Sequence, residues 1–340
     1  MQSRDTKKVQ YKSPIIITHE QLGIGTTVQL LPAINHLKTL IDNEIILCCF
    51  KHHVPIIKYF IDDDNIYPFI QKIYDTEFKY KTDPIYKGTE SLEYNTGASL
   101  FAPHTVHHVD HYFRMLFPGM ADIALPMELK NYLKFPVEKI NLSKFNLPEN
   151  YVAFSPTFTK PSCNIPSTTQ NEILAYCLHK GYTPVILGDD YTFDIIGKGI
   201  TDKGQSITVG PKINKNFSIP PESIDLLTET SLPETIAIMA NAKCYIGPEG
   251  GLMHMCGLTD TPMVIPFTSM SPKTRMPYRH NKLGWEVYPV LPDLECQFCI
   301  TNTIHRKSPV NVMMECLFDD FKCIEKLTFD RFKIQLDKIL

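Results

Sequence analysis

The chain lacks any run of about 18 apolar residues, the length a membrane-spanning helix needs, so none is expected among its 340 residues. No secretory leader is expected, since Met1 to Ser13 is polar and basic and no apolar run long enough for one follows. The chain also lacks an excess of positive charge. The formal net charge is −3, which argues against affinity built on release of counterions from a phosphate backbone, so no nucleic-acid partner is expected. Internal repeats and low-complexity tracts are also missing, so the pattern is not that of a solenoid array.

What is present is an ordinary globular mixture. Hydrophobic residues make up 43% and charged residues 21%, enough to bury a core in each of two domains of about 150 to 180 residues. With no export signal the expected compartment is the reducing cytoplasm, where disulfides are not the default. Of the ten cysteines, Cys48, Cys49, Cys163, Cys177, Cys244 and Cys256 are scattered through apolar segments and read as buried free thiols.

Strand-like apolar runs alternate with helical patterns, the signature of parallel α/β sheets. Ile15–Thr18 reads as a buried strand, followed by the loop Leu22-Gly23-Ile24-Gly25, a helix from Thr26 to Leu40 and a strand from Ile45 to Phe50. Asp62 to Asn95 is less legible, and a helix over Val106–Phe117 follows. Pro136–Asn150, with two prolines and no strong periodicity, reads as a linker. The pattern then restarts with strands at Tyr151–Ser155, Thr183–Leu187, Ser223–Leu227, Cys244–Gly247 and Met263–Phe267. Helices are expected at Thr169–Lys180, Pro233–Ala242 and Leu252–Leu258. Apolar spacing over Thr328–Leu340 predicts a closing helix. These spans give two Rossmann-like domains, 1–145 and 146–325, with 326–340 closing the chain. Ligands bind such sheets at the carboxyl ends of strands.

Three of those strand ends carry candidate binding residues. Gly247-Pro248-Glu249-Gly250-Gly251-Leu252-Met253-His254 joins a strand to a short helix. Its glycines permit close backbone approach, its helix start offers N–H groups to phosphate, and Glu249 can accept from sugar hydroxyls. A bare Gly-Gly turn is the plain alternative. Thr157 and Lys160 follow the Tyr151 strand, and Asp189-Asp190 follows the Thr183 strand, where a turn-forming Asp is the alternative.

Taken in order, the stretch from Ser231-Leu232 through Glu249-Gly250-Gly251-Leu252-Met253-His254 to Thr268 and Pro277-Tyr278 resembles the glycosyltransferase family 9 signature. That family includes the ADP-heptose:glycan heptosyltransferases and an autotransporter heptosyltransferase type. The resemblance implies a GT-B fold, with two Rossmann-like domains facing across a cleft. The activity it implies is inverting, metal-independent transfer of a sugar, heptose foremost, from a nucleotide donor such as ADP-heptose to a glycan or protein acceptor. It implies further that Lys160 neutralises the donor pyrophosphate as charge develops on the leaving oxygens, that Asp190 binds the ribose, and that Thr157, Glu249, Gly250, Gly251, His254 and Thr268 contact the donor. Two departures stand out: Glu249 replaces the usual Asp and Gly250 the usual Ser or Thr.

An inverting transferase needs a general base for the acceptor hydroxyl. The family's first loop reads Gly-Asp, but here it is Gly25-Thr26, and Thr cannot serve near neutral pH. His107-His108-Val109-Asp110-His111 offers a replacement, and the resemblance puts a catalytic Asp at Asp110. The same histidines, with His104, also have i,i+4 spacing for zinc, although no Glu stands between them as a zincin base. Cys296, Cys299, Cys316 and Cys323 form a Cys-x2-Cys-x16-Cys-x6-Cys pattern suited to tetrahedral zinc or iron. The resemblance implies a structural iron there, pinning a loop or an oligomer contact. Scattered free thiols are the alternative. Two other functions stay open: a GT-B epimerase or hydrolase of nucleotide sugars, and a non-catalytic binding member.

Overall fold

The computed structural model describes residues 15–19, 23–72, 75–77, 92–95, 106–117, 125–156, 161–188, 197–200, 206–209, 217–299, 301, 316 and 321–340. Two sheets organise them. The first comprises β1 (Ile15–Thr18), β2 (Ile45–Phe50), β3 (Ile66–Lys72), β4 (Asp75–Glu77) and β5 (Leu92–Asn95), in the order β4-β3-β2-β1-β5. Pairing is parallel except at β3–β4. Every residue of β2 is buried, which is why Ile-Ile-Leu-Cys-Cys-Phe is an unbroken apolar run: a parallel strand covered on both faces has no solvent side to alternate with. The segment that was hard to read, Asp62–Asn95, supplies β3, β4 and β5.

The second sheet is parallel throughout, in the order β10-β7-β6-β11-β12-β15. Its strands are β6 (Tyr151–Phe154), β7 (Thr183–Ile186), β10 (Ile224–Asp225), β11 (Tyr245–Ile246), β12 (Met263–Pro266) and β15 (Val287–Val290). Two antiparallel pairs stand apart: β8 (Gly197–Ile200) with β9 (Ser206–Val209), and β13 (Tyr278–Arg279) with β14 (Lys282–Leu283). Helices Ser167–His179, Leu232–Asn241 and Gly251–Cys256 cross between strands. The Glu234 carboxylate accepts from the Ser231 backbone N–H at 2.9 Å, starting the second of these as a capping pair does.

Residues 131–150 contain only short 3-10 turns, at Val137–Lys139 and Ser143–Phe145. This stretch is nonetheless tied down: Tyr132 N–H donates to the Tyr278 carbonyl at 2.8 Å and Phe135 N–H to that of Leu258 at 3.0 Å. One apolar cluster contains residues of both sheets, from Ile15 and Leu30 to Tyr245 and Met263. A second lies wholly beyond residue 151 and includes Phe332 and Leu336 of the terminal helix, Phe329–Leu336. Ile334, counted in the apolar spacing of that helix, faces solvent at 60% exposure. The six scattered cysteines are buried, as their surroundings predict. No helix among the described residues is long and apolar enough to cross a membrane.

Candidate active site

The chain order within the second sheet locates the site. From β6 the chain moves outward to β7 and β10, then returns to β11 on the other flank and continues to β12 and β15. The chain therefore leaves the paired carboxyl ends of β6 and β11 toward opposite sides of the sheet, the switch-point arrangement at which ligands bind in such sheets. The segments following those strands hold Cys163 and Glu249. Cys163 Sγ stands 3.8 Å from Glu249 Oε2, and Glu249 is 3% exposed. His254 Nε2 and Arg275 Nε each lie 3.9 Å from Glu249 Oε1. Burial lowers the Arg275 pKa while Glu249 opposes the shift, so the carboxylate is the charge that lets a guanidinium stay buried.

The Glu249 turn meets the first half directly. A Cβ on Gly25 would stand 2.5 Å from His254 Cδ2, and one on Gly251 would stand 2.9 Å from Ile24 Cγ2. These glycines let the Ile24–Leu40 and Gly251–Cys256 helices touch. Gly250 is extended at φ 175°, a conformation open to any residue. Thr268, after β12, donates to the Ser162 carbonyl, and Ser162 and Ser269 join through their hydroxyls at 3.0 Å. The segments after β6 and β12 are thus bound to each other beside Glu249. Lys160, Thr157 and Asp190 lie outside the described residues.

The first half contributes a matching set of buried groups. His108 Nδ1 is 3.1 Å from Gln29 Oε1, and Arg275 Nη1 lies 2.9 and 2.8 Å from the two ring nitrogens of His108. His254 Nδ1 is 2.9 Å from the Tyr132 hydroxyl. Gln29 Nε2 faces that hydroxyl without full hydrogen-bond geometry. Glu249, His254, Tyr132, Gln29, His108 and Arg275 therefore close a ring of buried polar side chains across the two halves. The sequence singled out Glu249 and His254, placed His108 in the stretch around Asp110 and among possible zinc ligands, and left Gln29, Tyr132 and Arg275 unmarked. The available signal for Arg275 was one basic residue just before Pro277-Tyr278.

Asp110 sits in the first turn of the His108–Leu116 helix, with Lys130 Nζ at 2.6 Å from Oδ1. His107 caps that helix: Val109 N–H donates to Nδ1 at 3.1 Å, while Nε2–H donates to the Met276 carbonyl at 2.8 Å. Burial, more than any neighbour, brings its pKa down to about 4. The His107/His111 zinc pair does not form, because both ring nitrogens of His107 are committed to these partners, and the His104/His108 pair lies partly outside the described residues, which do not include His104. Thr26 hydrogen-bonds the Gly23 carbonyl at 2.6 Å and lies 3.3 Å from His19.

The model of glycosyltransferase family 9 (heptosyltransferase) matches residues 88–297. The chain belongs to glycosyltransferase family 9. Among curated proteins none matches it. Solved structures of similar fold include the iron-containing dodecameric glycosyltransferase TibC of enterotoxigenic E. coli H10407, 13% identical with a TM-score of 0.67, covering 97% of this chain and 77% of TibC. The family 9 transferase of Veillonella parvula DSM 2008 is 12% identical with a TM-score of 0.62, covering 96% and 97%. E. coli ADP-heptose LPS heptosyltransferase II is 14% identical with a TM-score of 0.58, covering 95% and 99%. The two mostly parallel sheets are those of the GT-B fold, and the chain is a glycosyltransferase of the heptosyltransferase-like family.

The four late cysteines of this family 9 chain are all half-buried free thiols. Cys316, Cys299 and Cys296 act through charge on Cys323, whose thiol is pushed up to about 12 by burial first and these neighbours second. Cys316 Sγ accepts the Phe321 N–H at 3.4 Å. Among the described residues no three or more His, Cys, Asp or Glu side chains stand close enough together to hold a metal ion.

Proposed function

We propose that the chain moves a heptose from an ADP-linked donor to a glycan or protein acceptor, with inversion. The observation that carries this is the buried Glu249–Arg275–His254 group at the β6/β11 switch point, in a chain of this family. In this reading residues 1–145 form the acceptor side and 146–325 the nucleotide side, with 326–340 closing the fold. Support for an ADP-linked donor comes from the complex of TibC with ADP-D-beta-D-heptose.

The chemistry assigns one role to each group. The acceptor oxygen attacks the anomeric carbon, and Asp110 takes its proton as the carbon–oxygen bond to the diphosphate breaks. The ADP leaves with that electron pair, and Lys160 meets the developing negative charge. Asp190 holds the ribose. Glu249, which is longer by one methylene than the usual Asp, accepts from sugar hydroxyls, with Thr157, Gly250, Gly251, His254 and Thr268 completing the donor contacts. No catalytic cofactor is invoked. Cys296, Cys299, Cys316 and Cys323 hold a structural zinc or iron, a reading supported by their Cys-x2-Cys-x16-Cys-x6-Cys spacing, the N–H donated to Cys316 and the iron in TibC. The site of action is the cytoplasm, and an oligomer is compatible with the dodecamer of TibC.

The departure at Thr26 favours one second reading, a member that binds sugar nucleotides without turnover. Incubating the purified chain with ADP-heptose and candidate acceptors separates the two. Free ADP released only when acceptor is present supports transfer. Conversion of the donor without acceptor, whether to free ADP or to an altered ADP-sugar, points to a hydrolase or epimerase, and binding with no turnover to the non-catalytic member.

A further inference from the structure

Two buried arginines stand four residues apart after β12 and differ in what they hold. Arg279 Nη1 donates to the carbonyls of Thr259 and Thr261 at 2.8 and 2.9 Å, and its other amino group donates to the Trp285 carbonyl. All three carbonyls belong to its own half, so Arg279 is a staple within one domain. Arg275 instead reaches both halves: Glu249 on its own side at 3.9 Å, and the His108 ring on the other at 2.8 and 2.9 Å.

The direction of the His108 contact follows from Gln29. An amide oxygen only accepts, so with Gln29 Oε1 3.1 Å from His108 Nδ1 the proton belongs on Nδ1; Arg275 Nη1 then has Nε2, at 2.8 Å, as its acceptor, and its 2.9 Å approach to Nδ1 is a contact without a hydrogen bond. Gln29 is 0% exposed in the Ile24–Leu40 helix, so its amide is a fixed part of the first half. A guanidinium is a rigid plane, so Nη1 against the His108 ring fixes where Nε stands: 3.9 Å from Glu249 Oε1, at ion-pair distance and without a hydrogen bond.

We propose that Arg275 and His108 are a cross-domain positioning pair: His108, oriented by Gln29, holds the Arg275 guanidinium alongside Glu249, and thereby sets that carboxylate for the donor sugar when the two halves meet. This rests on the reading of Glu249 as a sugar contact. It predicts that the first half governs affinity for the sugar portion of the donor while leaving the nucleotide portion alone, without touching either.

Calorimetric titration of the full chain with ADP and with ADP-heptose tests it. His108→Leu should weaken ADP-heptose binding about tenfold, about 1.4 kcal/mol, while ADP binding changes by less than about twofold. His108→Gln retains an accepting oxygen and should recover most of the loss. Wild-type affinity for ADP-heptose in His108→Leu, or equal losses for both ligands, overturns the proposal, as does a Gln variant as weak as Leu. Should His108→Leu fail to fold, Arg275→Lys replaces it. That variant keeps the charge but loses the rigid plane, and the same sugar-selective loss is expected. If the wild-type chain binds neither ADP nor ADP-heptose, the transferase reading fails. The pair is then judged by small-angle scattering, where His108→Leu should have a larger radius of gyration than wild type, and an unchanged radius refutes it.

Discussion

Acidification should destabilise this fold through His107, and the size of the effect follows from its surroundings. The ring is neutral in the folded chain chiefly because it is buried, with Nδ1 accepting from Val109 and Nε2 donating to Met276. A second proton would break the Val109 contact and place a charge in a buried site. The folded pKa is about 4 against an ordinary 6.5. Between those values the unfolded chain binds more protons, so the stabilisation is complete above about pH 6.5 and declines as pH falls toward 4. Linkage gives a loss of about 2 kcal/mol from this residue at pH 5. His19, brought to about 3 by burial and His53, falls in the same direction. His107→Gln isolates the first contribution, since an amide retains a donor and an acceptor but does not titrate. Urea unfolding at pH 7 and pH 5 should show wild type losing about 2 kcal/mol more than the variant. With a slope of about 3 kcal/mol/M that is about 0.7 M in midpoint. Equal pH dependence in the two proteins would refute the argument.

Other perturbations give equally direct tests. Gly25→Ala adds a methyl 2.5 Å from His254 Cδ2, on a ring held by Tyr132. Overpacking of about 1–3 kcal/mol should outweigh the helix propensity gained, about 0.5–1 kcal/mol, and the melting temperature should fall; a rise would show that the ring yields. Asp110→Asn should lower transfer by about 10²–10⁴-fold with donor affinity retained, and near-wild-type turnover eliminates Asp110 as the base. Lys160→Ala should weaken ADP-heptose binding by about ten- to a hundredfold, measured calorimetrically, and an unchanged affinity removes it from the diphosphate. Elemental analysis should find about one zinc or iron per chain, a tetrahedral site filled by the four thiols. That metal should be lost in Cys296→Ser, and an equal content in the variant would place it elsewhere.

Much of the architecture was legible because burial leaves a local trace. β1, β2, β6 and β12 are short apolar runs, and a strand covered on both faces must be one. The helix spacings and the Ser231–Glu234 start were readable for the same reason: their causes lie within a few residues. β3 to β5 were not, since Asp62–Asn95 mixes tyrosines and acids without a clean period, and the neighbouring strands decide what pairs there. The loop that holds Glu249 was legible as a motif in family order.

The amino-acid order by itself determined two α/β units and the strand-end turns on which chemistry is carried, because hydrophobic period and turn chemistry are short-range properties. Only the tertiary structure decided which polar groups meet. Arg275 lies 167 residues from His108, and Tyr132 lies 122 from His254; no local pattern encodes such pairs. Folding brings two helix ends close enough that glycines must separate them, and the polar side chains caught between must satisfy one another because water is excluded there.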